Sequence, residues 1–378
     1  MILGQAGPAL LDLVGAAVVL VVVGDMFLTI FNYDGFTTLT TFFRRGWWRG
    51  VRIVTRPLPP RARPVALSLG SASMLPATVA LWLGLEIVGF AILFDSGFRT
   101  GGFTLRGAAP TIGTAFYLSG GAISSLSFGD VIPRAAAPRT LVDLETIVGL
   151  ATFTLALGYV VTAFGLLGRL ENLHGRVRRH AEDIDRPESI VSRHFRGGSP
   201  GDLPSFLQAL SDDLESYDQG LRRYPVVYFF HTRRTKRSIP QVFTTIGDLV
   251  ALLRWGVPSD EAIAQDAFLV ALHNAYLTTL ERLRRSFVGP DPIRSPQPLS
   301  HDAFASAYAR GDENEAVESF RRLERIGKDA AGANGRVDAD DAYERYRQWL
   351  PFAHRQRVVL ERVADRLGYE RPEPIAPA

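Results

Sequence analysis

Eight residues near the middle of the chain, Ser124 to Val131, combine small side chains, hydroxyl groups and a glycine followed by an aspartate. Hydroxyl and backbone carbonyl oxygens in such a loop can replace the water around a dehydrated alkali cation. The loop follows a short apolar run that opens at Pro110 and precedes a long apolar run that starts near Leu141. This order predicts a short helix, then a cation-coordinating loop, then a membrane helix.

The composition divides the 378 residues near residue 170, because charged residues are sparse before this point and dense after it. The chain has no cysteine, which excludes disulfides, thiolate metal sites and cysteine nucleophiles. A net charge of +3 gives no reason to expect a nucleic-acid partner. We find no catalytic triad, paired carboxylates, metal-ligand spacing or dinucleotide fingerprint. We therefore expect no enzyme, no cofactor and no metal beyond a permeant cation.

Three apolar runs are long enough to cross a bilayer as helices: Leu10–Phe31, Ser71–Phe94 and Leu141–Gly168. A signal peptide is the alternative for the first run, but no Lys or Arg precedes it. The second run contains Glu86, and a carboxyl group at membrane depth normally faces protein or water. We expect Glu86 to face the short helix, either as support for the loop or in a satisfied interhelical hydrogen bond.

Arginines set the expected orientation of these spans. Segment 36–64 carries seven of them and no acidic residue, and together with residues 169–179 it holds eleven, against four in the segments on the other side. Short loops rich in Lys and Arg stay in the cytoplasm. The sequence therefore predicts a multi-pass protein of the cell (inner) membrane, with its N-terminus outside and its C-terminus inside. Trp47 and Trp48 among these arginines predict a helix lying in the membrane interface.

The loop Ser125-Leu126-Ser127-Phe128-Gly129-Asp130 resembles the potassium-channel filter Thr-Val-Gly-Tyr-Gly-Asp, except that Ser127 stands where the family has its first glycine. Residues 71–168 are similar to the two-helix pore module of that family. The whole chain resembles bacterial potassium-channel-family proteins that add an N-terminal span and a soluble tail. This resemblance implies an all-α integral membrane protein with three transmembrane helices, a pore helix over 110–123 and a filter loop, followed by a cytoplasmic all-α domain.

The resemblance also implies the assembly and the residue roles. One pore loop per chain implies a homotetramer in which Ser125, Leu126, Ser127, Phe128 and Gly129 supply oxygen ligands to potassium. Tyr117, eight residues before Ser125, is expected to contact Asp130 and brace the filter together with Glu86. Gly149, twenty residues after Gly129, stands where the inner helix of the family often bends, and Gly158 is a second hinge candidate. Close helix packing is the alternative role for both glycines.

The predicted function is a tetrameric potassium channel that a cytoplasmic helical domain gates or assembles. Because a residue other than glycine resists left-handed dihedrals, Ser127 leaves selectivity for potassium over sodium open. The alternatives are a non-selective cation channel and a non-conducting membrane sensor or scaffold built on the pore fold. The expected partners are the lipid bilayer, the other subunits and an unknown cytoplasmic ligand or regulator.

Helical periodicity after residue 179 predicts a helical domain. The run from Tyr224 to His231 is unusually apolar and is predicted to be a buried connector. Predicted helices are Leu203–Leu221, Ser238–Trp255, Ser259–Arg285, Asp312–Ile326 and Asp338–Leu367. Predicted divisions of the chain are 1–35 (first span), 36–64 (interfacial helix), 65–170 (pore module), 171–200 (linker), 201–370 (helical domain) and 371–378 (disordered tail).

Overall fold

The computed structural model of the protein describes residues 3–31, 39–126, 128–195, 201–310, 314–332 and 338–377. Backbone contacts divide the chain into two units. The first, here called the membrane domain, comprises Met1–Gly165 and Arg222–Phe230; the second, the helical domain, comprises Leu166–Leu221 and His231–Ala378. Residues 222–230, predicted to belong to the cytoplasmic domain, therefore pack with the membrane helices.

Among the described residues, three helical stretches are long and apolar enough to cross a membrane: Ala9–Phe31, Arg63–Arg99 and Ala136–His180. The protein is thus a mostly helical membrane protein, as predicted. In chain order the elements of this half are α1 (Leu3–Phe31), α2 (Leu39–Thr55), α3 (Arg63–Ala72), α4 (Met74–Arg99), β1 (Phe103–Leu105), α5 (Ile112–Ile123), β2 (Val131–Pro133) and α6 (Ala136–His180).

The second span begins earlier and ends later than the predicted 71–94, and it is broken at Ser73 between α3 and α4. Pro76 explains the break, because proline has no N–H to donate to the carbonyl four residues earlier and its ring crowds that carbonyl. A Cβ on Gly70 would lie 2.4 Å from Val51 of α2, so glycine allows α2 and α3 to approach closely.

The short helix α5 begins at Ile112 rather than at Pro110. Thr111 is its N-cap, and the threonine hydroxyl accepts a hydrogen bond from the Thr114 N–H at 3.3 Å. Preference for a hydroxyl at the N-cap prevails here over preference for proline at the first helical position. The end of α5 at Ile123 agrees with the prediction.

A two-stranded antiparallel ribbon closes the segment that holds α5 and the loop. Strands β1 and β2 pair Phe103 with Pro133 and Leu105 with Val131. The sequence analysis predicted no strand in this half of the chain, so the ribbon is an addition to the predicted elements. Phe103 also anchors the ribbon in the apolar core of the membrane domain, packing edge-on against Phe94 and Phe98 with ring centroids 5.9 and 4.9 Å away.

Helix α6 continues past the predicted end of the third span at Gly168 and reaches His180. Leu166, Leu173 and Val177 repeat at helical spacing and are buried in the helical domain. The predicted linker 171–200 therefore contains the end of α6 and also α7 (Glu188–His194).

The rest of the helical domain agrees with the predicted helices in part. Two elements differ from the prediction, and one of the differences has a local cause. Asp266 caps α10 through the N–H groups of Phe268 and Leu269, which separates α10 from a preceding 3-10 turn, and α11 was not predicted. Asp312, the predicted start of α12, lies outside the described residues. The elements are α8 (Leu203–Arg223), α9 (Ile239–Trp255), α10 (Ala267–Leu283), α11 (His301–Arg310), α12 (Glu315–Ala331) and α13 (Ala339–Leu367), with 3-10 turns at Pro225–Phe229, Thr235–Arg237 and Ala262–Gln265 and a π turn at Arg284–Val288.

Candidate functional site

The loop after α5 starts with a Schellman turn. The Leu126 N–H donates to the Gly121 carbonyl at 2.7 Å, and the Ser125 N–H donates to the Ala122 carbonyl at 3.0 Å. This pattern puts Ser125 in the left-handed conformation, with φ of 58°. Glycine usually occupies such a position, and another residue costs roughly 1–2 kcal/mol there. The sequence analysis expected this conflict at Ser127, which lies outside the described residues; the structure has it at Ser125.

The described loop residues are exposed on the single chain. Leu126 is 57% and Phe128 61% exposed. Ser125 and Gly129 are also exposed. Gly129 has φ of 76°, a conformation that suits glycine. The surface of the loop is therefore free to contact molecules other than the chain to which it belongs.

Tyr117 and Asp130 lie on either side of the loop in the sequence and close to each other in the structure. The Tyr117 ring stacks on Phe128 with centroids 5.3 Å apart, and the Tyr117 hydroxyl and the Asp130 carboxylate interact as hydrogen-bonding neighbours. The Asp130 carbonyl accepts a hydrogen bond from the Arg106 N–H at 2.8 Å, just beyond the end of β1. Asp130 thus joins the loop to the ribbon and, through Tyr117, to α5.

Two carboxyl groups lie fully buried behind α5. Glu86 of α4 accepts a hydrogen bond from the Thr152 hydroxyl of α6 at 2.8 Å, and Glu145 of α6 accepts one from the Ser119 hydroxyl of α5. Glu86 thus makes an interhelical hydrogen bond, one of the two roles expected of it, but its partner lies on α6 rather than on the short helix. Glu145 is the carboxyl that bonds to α5. The other oxygen of each carboxyl has no partner among the described residues.

Glu145 was missed because it lies near the N-terminal end of the third apolar run, where an acid can also face water. The signal in the sequence was an acid flanked by apolar residues. The sequence analysis used this signal for Glu86 and not for Glu145. Its partner Ser119 lies 26 residues away in the sequence. The two carboxyl groups join α4, α5 and α6 behind the exposed loop.

Gly149 and Gly158 have different surroundings, although both lie within the unbroken helix α6. A Cβ on Gly149 would be 2.5 Å from Ile123 Cγ1 and 2.6 Å from the Ile123 carbonyl oxygen. A Cβ on Gly158 would meet nothing within 4 Å. Gly149 is therefore required for close packing of α6 on the end of α5, whereas the single chain gives no packing reason for Gly158.

A third buried acid organises the other end of the membrane domain. Asp25 of α1 accepts hydrogen bonds from the Leu39 N–H at 3.0 Å, from the Thr40 N–H and hydroxyl at the start of α2, and from the Trp82 indole of α4 at 3.4 Å. An anionic side chain at a helix N-terminus is favoured by both the free N–H groups and the helix dipole. Asp25 therefore fixes α2 to two apolar helices.

We expect Asp25→Ala to destabilise the membrane domain by about 2 kcal/mol or more, because it removes the cap of α2 and leaves the buried Trp82 and Thr40 groups with fewer acceptors. The measurement is the thermal unfolding midpoint of the protein in detergent micelles. Asp12→Ala is the matched control, since Asp12 lies on the same helix and is only half-buried. Equal midpoints for the two variants would contradict the role given to Asp25.

Aromatic contacts attach segment 222–230 to the membrane helices. Tyr224 packs on Tyr159 of α6 with ring centroids 5.8 Å apart, and Phe230 packs on Phe164 at 5.9 Å. Phe229 lies 6.1 Å from Trp48 of α2. The prediction of a buried connector agrees with this packing.

Comparison with known proteins gives a distant relative without an assigned activity. The uncharacterized membrane protein YdjJ of Bacillus subtilis is 18% identical over 273 residues, which cover 72% of this chain and 77% of the relative. No protein-family model matches the chain. No solved structure matches it. The similarity to YdjJ agrees with a membrane protein and leaves the function to be inferred from the site.

Proposed function

We propose that the protein is a tetrameric cation channel, most simply for potassium, in which residues 125–129 of four chains surround the ion path. The observation that carries this proposal is the exposed loop at the end of α5, held by a ribbon between two apolar helices. Leu126 and Phe128 are more than half exposed in this loop, outside the membrane-spanning helices, where lipid would cover such side chains. Association of four loops around one axis would cover them.

The exposed side of α6 supports the same assembly. One strip of this side carries bulky apolar groups, including Phe153 and Leu157, which are 63% and 59% exposed. The adjacent strip carries Thr154, Gly158 and Thr162, also exposed. The two threonine hydroxyls bond to carbonyls of their own helix, each at 2.8 Å. In the proposed tetramer the bulky strip contacts lipid or a neighbouring subunit, and the small, hydroxyl-bearing strip lines the wet path.

The arginine distribution supports an orientation with the N-terminus outside and the C-terminus in the cytoplasm. On α2, the exposed side carries Arg45 and Arg49 together with Phe42 and Ile53, which are 80% and 65% exposed. This mixture suits a helix at the lipid headgroups of a bacterial inner membrane. The helical domain would then lie in the cytoplasm and would assemble or gate the pore.

The test is the reversal potential of the purified protein in planar bilayers, with potassium on one side and sodium on the other. We expect a cation current that reverses toward the potassium equilibrium potential. Gly129→Val is the control for leak, because a β-branched residue at φ of 76° would distort the loop and remove the current. A reversal near zero would support a non-selective cation channel.

The Ser127→Gly variant distinguishes a conducting channel from the non-conducting alternative. It restores the residue that the potassium-channel family has at this position. If the native chain carries no current, or only this variant does, the protein is better described as a membrane sensor or scaffold built on the pore fold. If both conduct, a change in the reversal potential measures the effect of Ser127 on selectivity.

A further inference from the structure

A buried carboxylate in the helical domain lies in an apolar pocket, with no cationic partner among the residues that the structure describes. Asp248 of α9 is 6% exposed, and it accepts hydrogen bonds from the Gln356 side-chain amide at 2.9 Å and from the Ile375 N–H at 3.0 Å. Glu188 interacts electrostatically with Asp248, and because both side chains are acidic this interaction is repulsive when both are charged. Burial raises the pKa of Asp248 to about 7. The site has an excess of negative charge at and above neutral pH.

Two further polar groups beside Asp248 have no hydrogen-bond partner among the described residues. They are the Gln356 Oε1 atom and the Tyr276 hydroxyl, on side chains that are 3% and 0% exposed. Both lie above Gly247, where a Cβ would be 2.1 Å from the first and 2.5 Å from the second. Buried polar atoms without partners are rare, and each one needs an explanation. Here the Gln356 Oε1 atom is an acceptor, and the Tyr276 hydroxyl can donate or accept, next to the Asp248 carboxyl.

The walls of this pocket are aromatic and apolar, formed by Trp349, Phe352 and Leu323, and the lid is the C-terminal tail, where Pro374 and Ala376 complete the lining. The remaining cavity is about 10 Å³, which is room for about one water molecule. Any larger occupant therefore has to displace the tail.

The docked tail corrects the prediction that residues 371–378 are disordered. Ala376 is 6% exposed, and Asp248 binds the tail through the Ile375 N–H. The residues that precede the tail are held in place by other contacts. Tyr369 stacks on His231 with centroids 4.1 Å apart and accepts a hydrogen bond from the Thr232 N–H at 2.7 Å. Detachment of residues 374–376 would thus leave the preceding chain in place.

We propose that the Asp248 pocket is a binding site for a small organic ammonium ion with an apolar body, and that the C-terminal tail is a lid that this ligand displaces. The ammonium group supplies a positive charge beside Asp248, replaces the Ile375 N–H as a donor when the tail is displaced, and gives Gln356 Oε1 a donor. Trp349 and Phe352 supply apolar and cation–π contacts for the body of the ligand. The proposal concerns the helical domain alone and does not depend on conduction by the loop.

The test is calorimetric titration of the full-length protein and a variant that ends at Arg371, both in detergent micelles, with benzylammonium chloride as the probe and benzyl alcohol as its neutral analogue. We expect the truncated variant to bind benzylammonium at least tenfold more tightly than the full-length chain, because no lid has to be displaced. In the truncated background, Asp248→Asn should weaken binding at least tenfold, whereas Asp260→Asn, at an exposed aspartate, should not.

A pH series checks the same proposal without a substitution in the pocket. Benzylammonium keeps its charge between pH 6 and 8, while the Asp248 carboxyl, with a pKa near 7, loses its proton. Binding to the full-length chain, in which the docked tail keeps Asp248 buried, should strengthen by about tenfold over this range. Equal affinity for benzylammonium and benzyl alcohol, or an affinity that does not respond to pH, would overturn the proposal.

Discussion

Arg345→Ala is expected to lower the free energy of unfolding of the helical domain by about 3–5 kcal/mol, because it leaves a buried carboxylate without its main partner. The Arg345 guanidinium is 3% exposed and donates to Glu324 at 2.6 Å, to Asp341 at 2.8 Å and to the Trp255 carbonyl at 2.7 Å. It therefore links α12 and α13 to the end of α9. Lys328, 3.0 Å from Glu324, remains in the variant and favours the lower end of the range.

The pH dependence of stability provides a second measure of this ion pair. Burial pushes the pKa of Glu324 up, but hydrogen bonds from Arg345 and Tyr308 outweigh burial, and the pKa is lowered from 4.5. A lowered pKa in the folded state gives stability that is present above pH 4.5 and is lost as the pH falls through the folded value. In Arg345→Ala this loss on acidification should shrink.

Arg347→Ala is the matched control on the same helix. Arg347 is 53% exposed and its nearest acid, Glu344, lies 3.5 Å away. An exposed pair of this kind contributes about 0–1 kcal/mol. Both variants can be measured by chemical unfolding of the full-length protein in micelles, followed by tryptophan fluorescence. Similar unfolding midpoints would contradict the structural role of Arg345.

The sequence predicted the elements whose signals are local. Long apolar runs identified the membrane helices, and helical periodicity with capping residues identified α9, where Ser238 accepts from the Gln241 N–H, and α13, where Asp338 accepts from the Asp340 N–H. The ribbon was missed because strands of three residues, 25 residues apart, have no periodic pattern. Their pairing depends on α5 and the loop folding between them.

The buried acids of the candidate site show the same limit: contacts between residues far apart in the sequence have no local signal. Asp25 and Glu145 were visible as acids within apolar runs, but their partners come from residues 14 to 57 positions away in the case of Asp25, and from Ser119 in the case of Glu145. No spacing rule connects them. The tail was predicted to be disordered from its position at the end of the chain, while its docking depends on Asp248 of α9.

Gly149→Ala is expected to lower the thermal stability of the membrane domain and to reduce any cation current, because the new methyl group would overlap Ile123 at the end of α5. Overpacking of this kind costs typically 1–3 kcal/mol, and here one of the crowded atoms is a backbone oxygen that cannot rotate away. The gain in helix propensity from glycine to alanine, roughly 1 kcal/mol, offsets only part of this cost.

Gly158→Ala separates packing from bending on the same helix. The added methyl group meets nothing within 4 Å on the single chain, so stability should be unchanged or should rise through helix propensity. If α6 bends at Gly158 when the proposed channel opens, this variant should keep its melting temperature and change the open probability in bilayers. If Gly149→Ala keeps its melting temperature as well, the close contact between α6 and Ile123 does not determine the position of α5. If Gly149→Ala changes the open probability but not the melting temperature, residue 149 would instead be a hinge. A packing defect would lower the melting temperature as well, whereas a hinge defect would change only the open probability.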